Sequence, residues 1–401
     1  MKKQLLAVFI FSTFLLSAQK QLHVNEIWED EFSPNRMESL KSMKDGNQYT
    51  IIDIDINNSE SKIISRHYDF SKNEEIILSS KNELLIPFFT NYKFSNDEQK
   101  ILITTQEDKI YRRSKRGVFW VFNRLDKSLK MIYNKKIQEP HFSPDGEKVA
   151  FVFNRNLFIK NLINNTIIQI THDGDGQTIN GITDWVYEEE FGFVKAFEWN
   201  SDSSKIVFMR FDESNVPLFS MDIYGKDLYQ YPYKFRYPKA GESNSKISLH
   251  LFDLKNNKKT SIVLNENLNP YYIPRIKFTN DPFLLTIQTI NRKQNHLKLH
   301  LFNFKTNTSK ILIEEKSKTY VDVKNDLNFL DNNNFFWLSE RNGYNHIYHY
   351  NNKGNLLNQI TGGNWEVTTL YKYNPKTKEI YFGAAKSSSI ERGVYSVDVN
   401  G

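Results

Sequence analysis

The chain has 401 residues and a mass of 47.4 kDa, with 39% hydrophobic and 25% charged residues and a mean hydropathy of −0.58. This excludes a multispan membrane protein and wholesale disorder, and the length calls for two or three domains or one large repeat-built domain. Cysteine is absent, which excludes disulfides, thiolate metal sites and cysteine nucleophiles; a net charge of +6 without a dominant Lys/Arg stripe argues against nucleic-acid binding.

The first element is an export signal over residues 1–19. Lys2 and Lys3 form its charged start, Leu5 to Leu16 its apolar run, and Ser17-Ala18-Gln19 the cut region. A membrane anchor is the competing reading, but the run is short for a span. Later segments are shorter still in apolar length, so residues 20–401 are expected to carry no membrane span. Export places them in a periplasmic, cell-envelope or secreted setting, and no Cys is present for lipoprotein attachment.

Beyond this segment the chain reads as short alternating runs separated by Asn, Asp, Gly and Lys turns. Aromatic residues make up 14% of the chain, which suits strands. One phrase recurs: an aromatic residue, a turn usually carrying Asp, then an apolar strand. Met43-Lys44-Asp45-Gly46 before Tyr49-Thr50-Ile51 resembles an early unit. Phe94-Ser95-Asn96-Asp97, Phe142-Ser143-Pro144-Asp145, Trp199-Asn200-Ser201-Asp202, Phe278-Thr279-Asn280-Asp281, Phe329-Leu330-Asp331 and Tyr373-Asn374-Pro375 follow, spaced by 48, 57, 79, 51 and 44 residues. These intervals fit the four-stranded blade of a β-propeller, and the long one predicts an insertion around Tyr224 to Ser245. A lone blade cannot bury both faces, so the aromatic positions are expected to fill the gaps between stacked sheets. A β-sandwich explains short strands but not the repeated phrase. The expected fold is therefore all-β, a propeller of four-stranded blades.

One segment breaks the repeat: Gly181-Ile182-Thr183-Asp184-Trp185-Val186-Tyr187-Glu188-Glu189-Glu190-Phe191-Gly192. A charge run by itself is most often a solvated surface. Here aromatic neighbours predict partial packing on a short helical turn, with adjacent carboxylates facing a cavity. Like charges that close repel, and an ammonium with three N–H donors relieves them. The ligand this favours is a primary amine such as a peptide N-terminus.

The same segment closely resembles the signature loop of the dipeptidyl peptidase IV family of serine peptidases. Further resemblance lies in Tyr231-Pro232-Tyr233 through Arg236-Tyr237-Pro238-Lys239-Ala240-Gly241, in Ser339-Glu340-Arg341-Asn342-Gly343-Tyr344-Asn345-His346-Ile347-Tyr348, and in Gly363-Asn364-Trp365-Glu366-Val367. The resemblance covers roughly residues 90 to 401. It implies an eight-bladed propeller capping an α/β-hydrolase domain, of which this chain is expected to hold about seven blades and an incomplete closing one. It implies that Glu189 and Glu190 hold the peptide N-terminus. The Tyr111-Arg112-Arg113-Ser114 match implies that Arg112 meets the first carbonyl; a surface basic cluster is the competing reading of that stretch. A homodimer through the hydrolase domain and a propeller arm is also implied. No cofactor or metal is called for.

The family's chemistry needs a serine on a Gly-x-Ser-x-Gly elbow followed by Asp and His, and this sequence has no such elbow. Catalytic residues are therefore not assigned. His346 and His349 fall on opposite faces of a strand, and His172-Asp173-Gly174-Asp175 reads as a turn. The sequence ends in a strand running into a turn at Ser396 to Gly401, where a domain would not be expected to stop. Two explanations stand: the N-terminal propeller of an exported dipeptidyl peptidase, truncated before its catalytic domain, or a non-catalytic peptide-binding or scaffold propeller. A glycosidase is disfavoured, since adjacent glutamates on one turn do not oppose each other across a sugar.

Overall fold

The computed structural model describes residues 22–29, 31–33, 39–69, 72–81, 86–264 and 271–401. The expected signal segment, residues 1–19, lies outside them. The chain divides into two compact units, residues 1–53 with 63–77, and residues 54–62 with 78–401.

In the smaller unit a five-residue helix, Val24–Trp28, precedes the strand Lys41–Ser42. This strand pairs antiparallel with its successor, Lys41 opposite Thr50 and Ser42 opposite Tyr49. Asp45 closes the turn between them by accepting from the Asn47 and Gln48 amides at 2.9 and 3.1 Å. Tyr49, Ile51 and Ile64 form a small buried cluster with Leu40.

The larger unit is a series of antiparallel meanders. Asn91–Phe94, Lys100–Lys109, Lys115–Asn123 and Leu129–Met131 make one sheet. Gln138–Phe142, Lys148–Phe153, Asn156–Asn161 and Ile167–Gln169 make the next. Three more four- or five-stranded sheets follow, then a sheet of Val367–Asn374, Glu379–Ala384 and Gly393–Asp398. Neighbours in sequence are mostly neighbours in the sheet, as expected of blades.

The recurring phrase has one structural job. It makes the turn from a sheet's first strand into its second. Ser95 Oγ accepts from the Lys100 amide at 2.9 Å, Ser143 Oγ from Lys148 at 3.0 Å, and Asn200 Oδ1 from Lys205 at 2.9 Å. The Asp two residues on then caps the turn, with Asp145 accepting from the Glu147 amide at 3.0 Å. Such side-chain bonds satisfy backbone donors that a tight turn leaves free. The strands that follow are almost wholly buried: Val149, Ala150, Phe151 and Val152 are each 0% exposed. The largest core cluster runs from Ala150 to Tyr350.

The insertion exists, but it starts before the expected stretch. Lys205–Asp212 and Lys246–Asp253 pair in unbroken register, with Asp212 directly opposite Lys246. Between them the chain leaves the sheet and forms a separate hairpin, Leu218–Ile223 with Tyr231–Arg236. This hairpin is largely exposed, with Leu218, Tyr224, Leu228 and Tyr229 all open to solvent.

Candidate functional site

The acidic segment folds as a six-residue helix, Trp185–Glu190. Asp184 is its N-cap, accepting from the Tyr187 amide at 2.9 Å. The Ser245 hydroxyl donates to the other Asp184 oxygen. Burial pushes the Asp184 carboxyl up from its usual range, against the pull of these two donors. The helix ends where Phe191 donates to the Tyr187 carbonyl and Gly192 takes φ +71°. Glycine meets no steric penalty in that left-handed geometry, so it stops the helix cleanly.

A helix this short does not stand alone in water and needs tertiary support. Tyr187, 1% exposed, supplies it. Its ring meets Phe191, Phe211 and Tyr272 edge-on, and its hydroxyl accepts from the Ile273 amide at 3.0 Å. Trp185 packs on Tyr237, beside the root of the hairpin, with ring centroids 4.6 Å apart.

The three glutamates, consecutive in sequence, have three different environments. Glu188 is 2% exposed and turns inward. One of its oxygens accepts from both the Arg113 and Ser114 backbone amides, each at 2.7 Å. Glu189 is partly buried, and its Oε2 lies 2.9 Å from Arg112 Nε. The Arg112 side chain itself is 73% exposed. Glu190 is exposed, and its charge contributes to the raised phenol pKa of Tyr272 and Tyr320, in both of which burial is the larger cause. The structure therefore brings Arg112 directly against Glu189, with Glu190 the next residue on the helix.

Glu188 is the residue that sequence reasoning missed, and it explains the proximity of the other two. The loop at 110–114 folds on itself through Ser114, whose carbonyl accepts from Ile110 at 2.9 Å and whose Oγ accepts from the Tyr111 amide at 3.2 Å. Glu188 then fastens that loop to the helix by two charge-assisted bonds, the stronger class of hydrogen bond. Arg112 projects from the fastened loop.

Arg275 was also missed. It sits just beyond a register irregularity in the strand Tyr271–Phe278. Its Nη2 donates to the Phe191 carbonyl at 2.6 Å, its Nη1 to Pro274 at 2.5 Å, and its Nε to Asn325 Oδ1. The guanidinium lies 4.9 Å from the Phe193 ring centroid. Burial lowers its pKa to about 10, which leaves it charged at neutral pH. Among the described residues no carboxylate pairs with it. Nor do three or more His, Asp or Glu side chains converge on a point that would hold a metal ion.

A partly buried acid and an exposed one beside a guanidinium can bind an ammonium and a neighbouring carbonyl in one step. The carboxylates offer only acceptors and Arg112 only donors.

Comparison with known proteins shows the family of the chain. The family described as "Dipeptidyl peptidase IV (DPP IV) N-terminal region" matches residues 95–401. A protein of Arthroderma gypseum named "Probable dipeptidyl-aminopeptidase B" is 30% identical over 340 residues, covering 77% of this chain and 37% of that protein. One of the same name from Aspergillus niger is 28% identical over 377 residues, covering 84% of this chain and 42% of that protein. The crystal structure of Porphyromonas gingivalis dipeptidyl peptidase 4 superposes with a TM-score of 0.88 at 35% identity, covering 96% of this chain and 55% of that one. The chain thus spans about two fifths to one half of the length of these relatives. With its blade-like meanders, it is a β-propeller belonging to the dipeptidyl peptidase IV family, whose N-terminal region it carries.

Proposed function

We propose that this region recognises the free N-terminus of a peptide for an exported dipeptidyl aminopeptidase. In this reading Glu189 and Glu190 take the ammonium, and Arg112 donates to the first peptide carbonyl. The observation that carries it is the Arg112–Glu189 contact at 2.9 Å, on a loop that Glu188 holds to the acidic helix.

The site acts as a ruler. Anchoring the amine fixes how far along the peptide a hydrolase domain would meet the chain, so a dipeptide is released. Internal segments lack the ammonium and are not held. The reacting serine belongs to the α/β-hydrolase domain that the family pairs with this region. The exposed aromatic hairpin Leu218–Ile223/Tyr231–Arg236 is the surface through which a homodimer would form. Export through residues 1–19 puts the site where extracellular peptides are available. N-terminal sequencing of protein from the cell envelope, beginning near Lys20, tests that part.

The recognition step is tested by anisotropy titration of a C-terminally fluorescein-labelled Ala-Pro-Ala-Ala peptide and its Nα-acetylated twin. Losing a charge-assisted contact costs about 1.5–3 kcal/mol, so the free amine is expected to bind roughly 10–100-fold more tightly. Equal binding of the two peptides would falsify the reading.

A further inference from the structure

A six-residue helix can present Glu189 and Glu190 accurately only if both of its ends are fixed. Its N-terminal end is held by Asp184 and Ser245, and its middle by the Tyr187 hydroxyl. At the C-terminal end the last carbonyls of any helix lack partners within the helix and carry partial negative charge. Phe191, one peptide unit after Glu190, offers one such carbonyl, and Arg275 Nη2 meets it at 2.6 Å.

The same guanidinium reaches two more segments. Nη1 donates to Pro274 on its own strand, and Nε donates to Asn325. Asn325 lies in the stretch that also carries Tyr320, whose phenol feels the Glu190 charge. One planar group therefore ties the end of the glutamate helix, the strand Tyr271–Phe278 and the 320–325 stretch together. Lysine could not do this, because its single ammonium has no rigid fork aimed at three acceptors. A half-buried cation with no acidic partner among the described residues is also a costly way merely to fill space, where an apolar side chain would serve.

We propose that Arg275 is a positioning residue for the amine site, setting the direction of Glu190 and Glu189 through the Phe191 carbonyl. This inference rests on the reading of those glutamates as the amine anchor. Arg275 does not touch the peptide; it acts through the helix end.

The test uses Arg275→Met and Arg275→Lys in the 401-residue chain with the free-amine and acetylated Ala-Pro-Ala-Ala probes, alongside thermal melting. The free-amine preference of the parent chain, about tenfold or more, is expected to fall to about threefold or less in Arg275→Met. Acetylated-probe binding should stay unchanged. Arg275→Lys, which keeps the charge without the fork, should lose at least about half of the preference on a logarithmic scale. A role in stability alone would lower the melting temperature, or weaken both probes alike, and leave the ratio intact; that result overturns the proposal. If Arg275→Met does not fold, a parental ratio in folded Arg275→Lys overturns it equally. No preference in the parent chain refutes the amine reading itself, independently of Arg275.

Discussion

Glu188 offers the sharpest test of how the site is assembled. Glu188→Ala removes the acceptor of two backbone N–H groups, each held at 2.7 Å. Ser114 is 3% exposed, so its amide loses its partner with little access to water. The Arg113 amide is only part-buried and recovers some hydration. Charge-assisted bonds contribute about 1.5–3 kcal/mol each, and a buried unpaired donor costs about 1–3 kcal/mol. Allowing for rehydration at Arg113, the expected loss is about 3–5 kcal/mol. Glu188→Gln keeps an accepting oxygen but loses the charge, so about 1–2 kcal/mol is expected. Urea unfolding followed by tryptophan fluorescence measures both. The peptide probes should show a matching loss of free-amine preference, because the loop bearing Arg112 is no longer tied to the helix. A loss below about 1 kcal/mol for Glu188→Ala, the range of an exposed ion pair, refutes the claim that this carboxylate holds the two segments together.

Two further outcomes follow from neighbouring residues. Glu189→Gln should abolish the free-amine preference while changing stability by less than about 1 kcal/mol, since its partner Arg112 is 73% exposed; a large stability loss with intact preference would reverse its assigned role. Asp184→Ala removes the N-cap and the acceptor of the Ser245 hydroxyl, and should lower stability by about 1–2 kcal/mol, with Asp184→Asn milder; urea midpoints equal to the parent for both would show that the cap contributes nothing.

His141 makes a pH prediction. Its Nδ1 lies 3.0 Å from the Glu139 carbonyl, its Nε2 2.8 Å from Lys93 Nζ, and its ring edge-on to Phe197. Burial first, then the charges of Lys195 and Lys93, hold its pKa well below the ordinary 6.5. The unfolded chain takes up a proton near that value while the folded chain does not. Its contribution is therefore present above pH 6.5 and is lost as pH falls toward the depressed value, by up to about 1.4 kcal/mol per pH unit. Between pH 7 and 5, His141→Gln should flatten this part of the stability curve; parallel curves for the two proteins would exclude it.

The fold was legible because its signal is local. The Ser-x-Asp and Asn-x-Asp phrases bond to amides only a few residues away, as at Ser143 and Lys148, so their spacing reports the sheets directly. The helix was legible for the same reason, with Asp184 and Gly192 bracketing it. Arg112, Glu189 and Glu190 were singled out through the motif that they share with a family. Glu188 was overlooked because three identical residues in a row give no hint of which one turns inward; the packing of Tyr187 decides that. Arg275 carried no signal at all. It reads as one more strand residue, and its partners Phe191 and Asn325 are far away in sequence. The hairpin was placed late because its first strand, Leu218–Ile223, continues the alternating pattern of the sheet it leaves.

That departure from the sheet bears on how the protein can change over time. The excursion at residues 213–245 begins and ends at Asp212 and Lys246, which face each other across an intact ladder. Its ends are already joined by the blade, so the entropy of closing it grows only with the logarithm of its length. The tip of the hairpin can lengthen, shorten or exchange its side chains at little thermodynamic expense to the blade. Its return limb has no such freedom, because Tyr237 and Ser245 rest on Trp185 and Asp184. Variation is therefore channelled outward to the exposed tip, where new partners can be acquired while the helix carrying Glu189 and Glu190 keeps its footing.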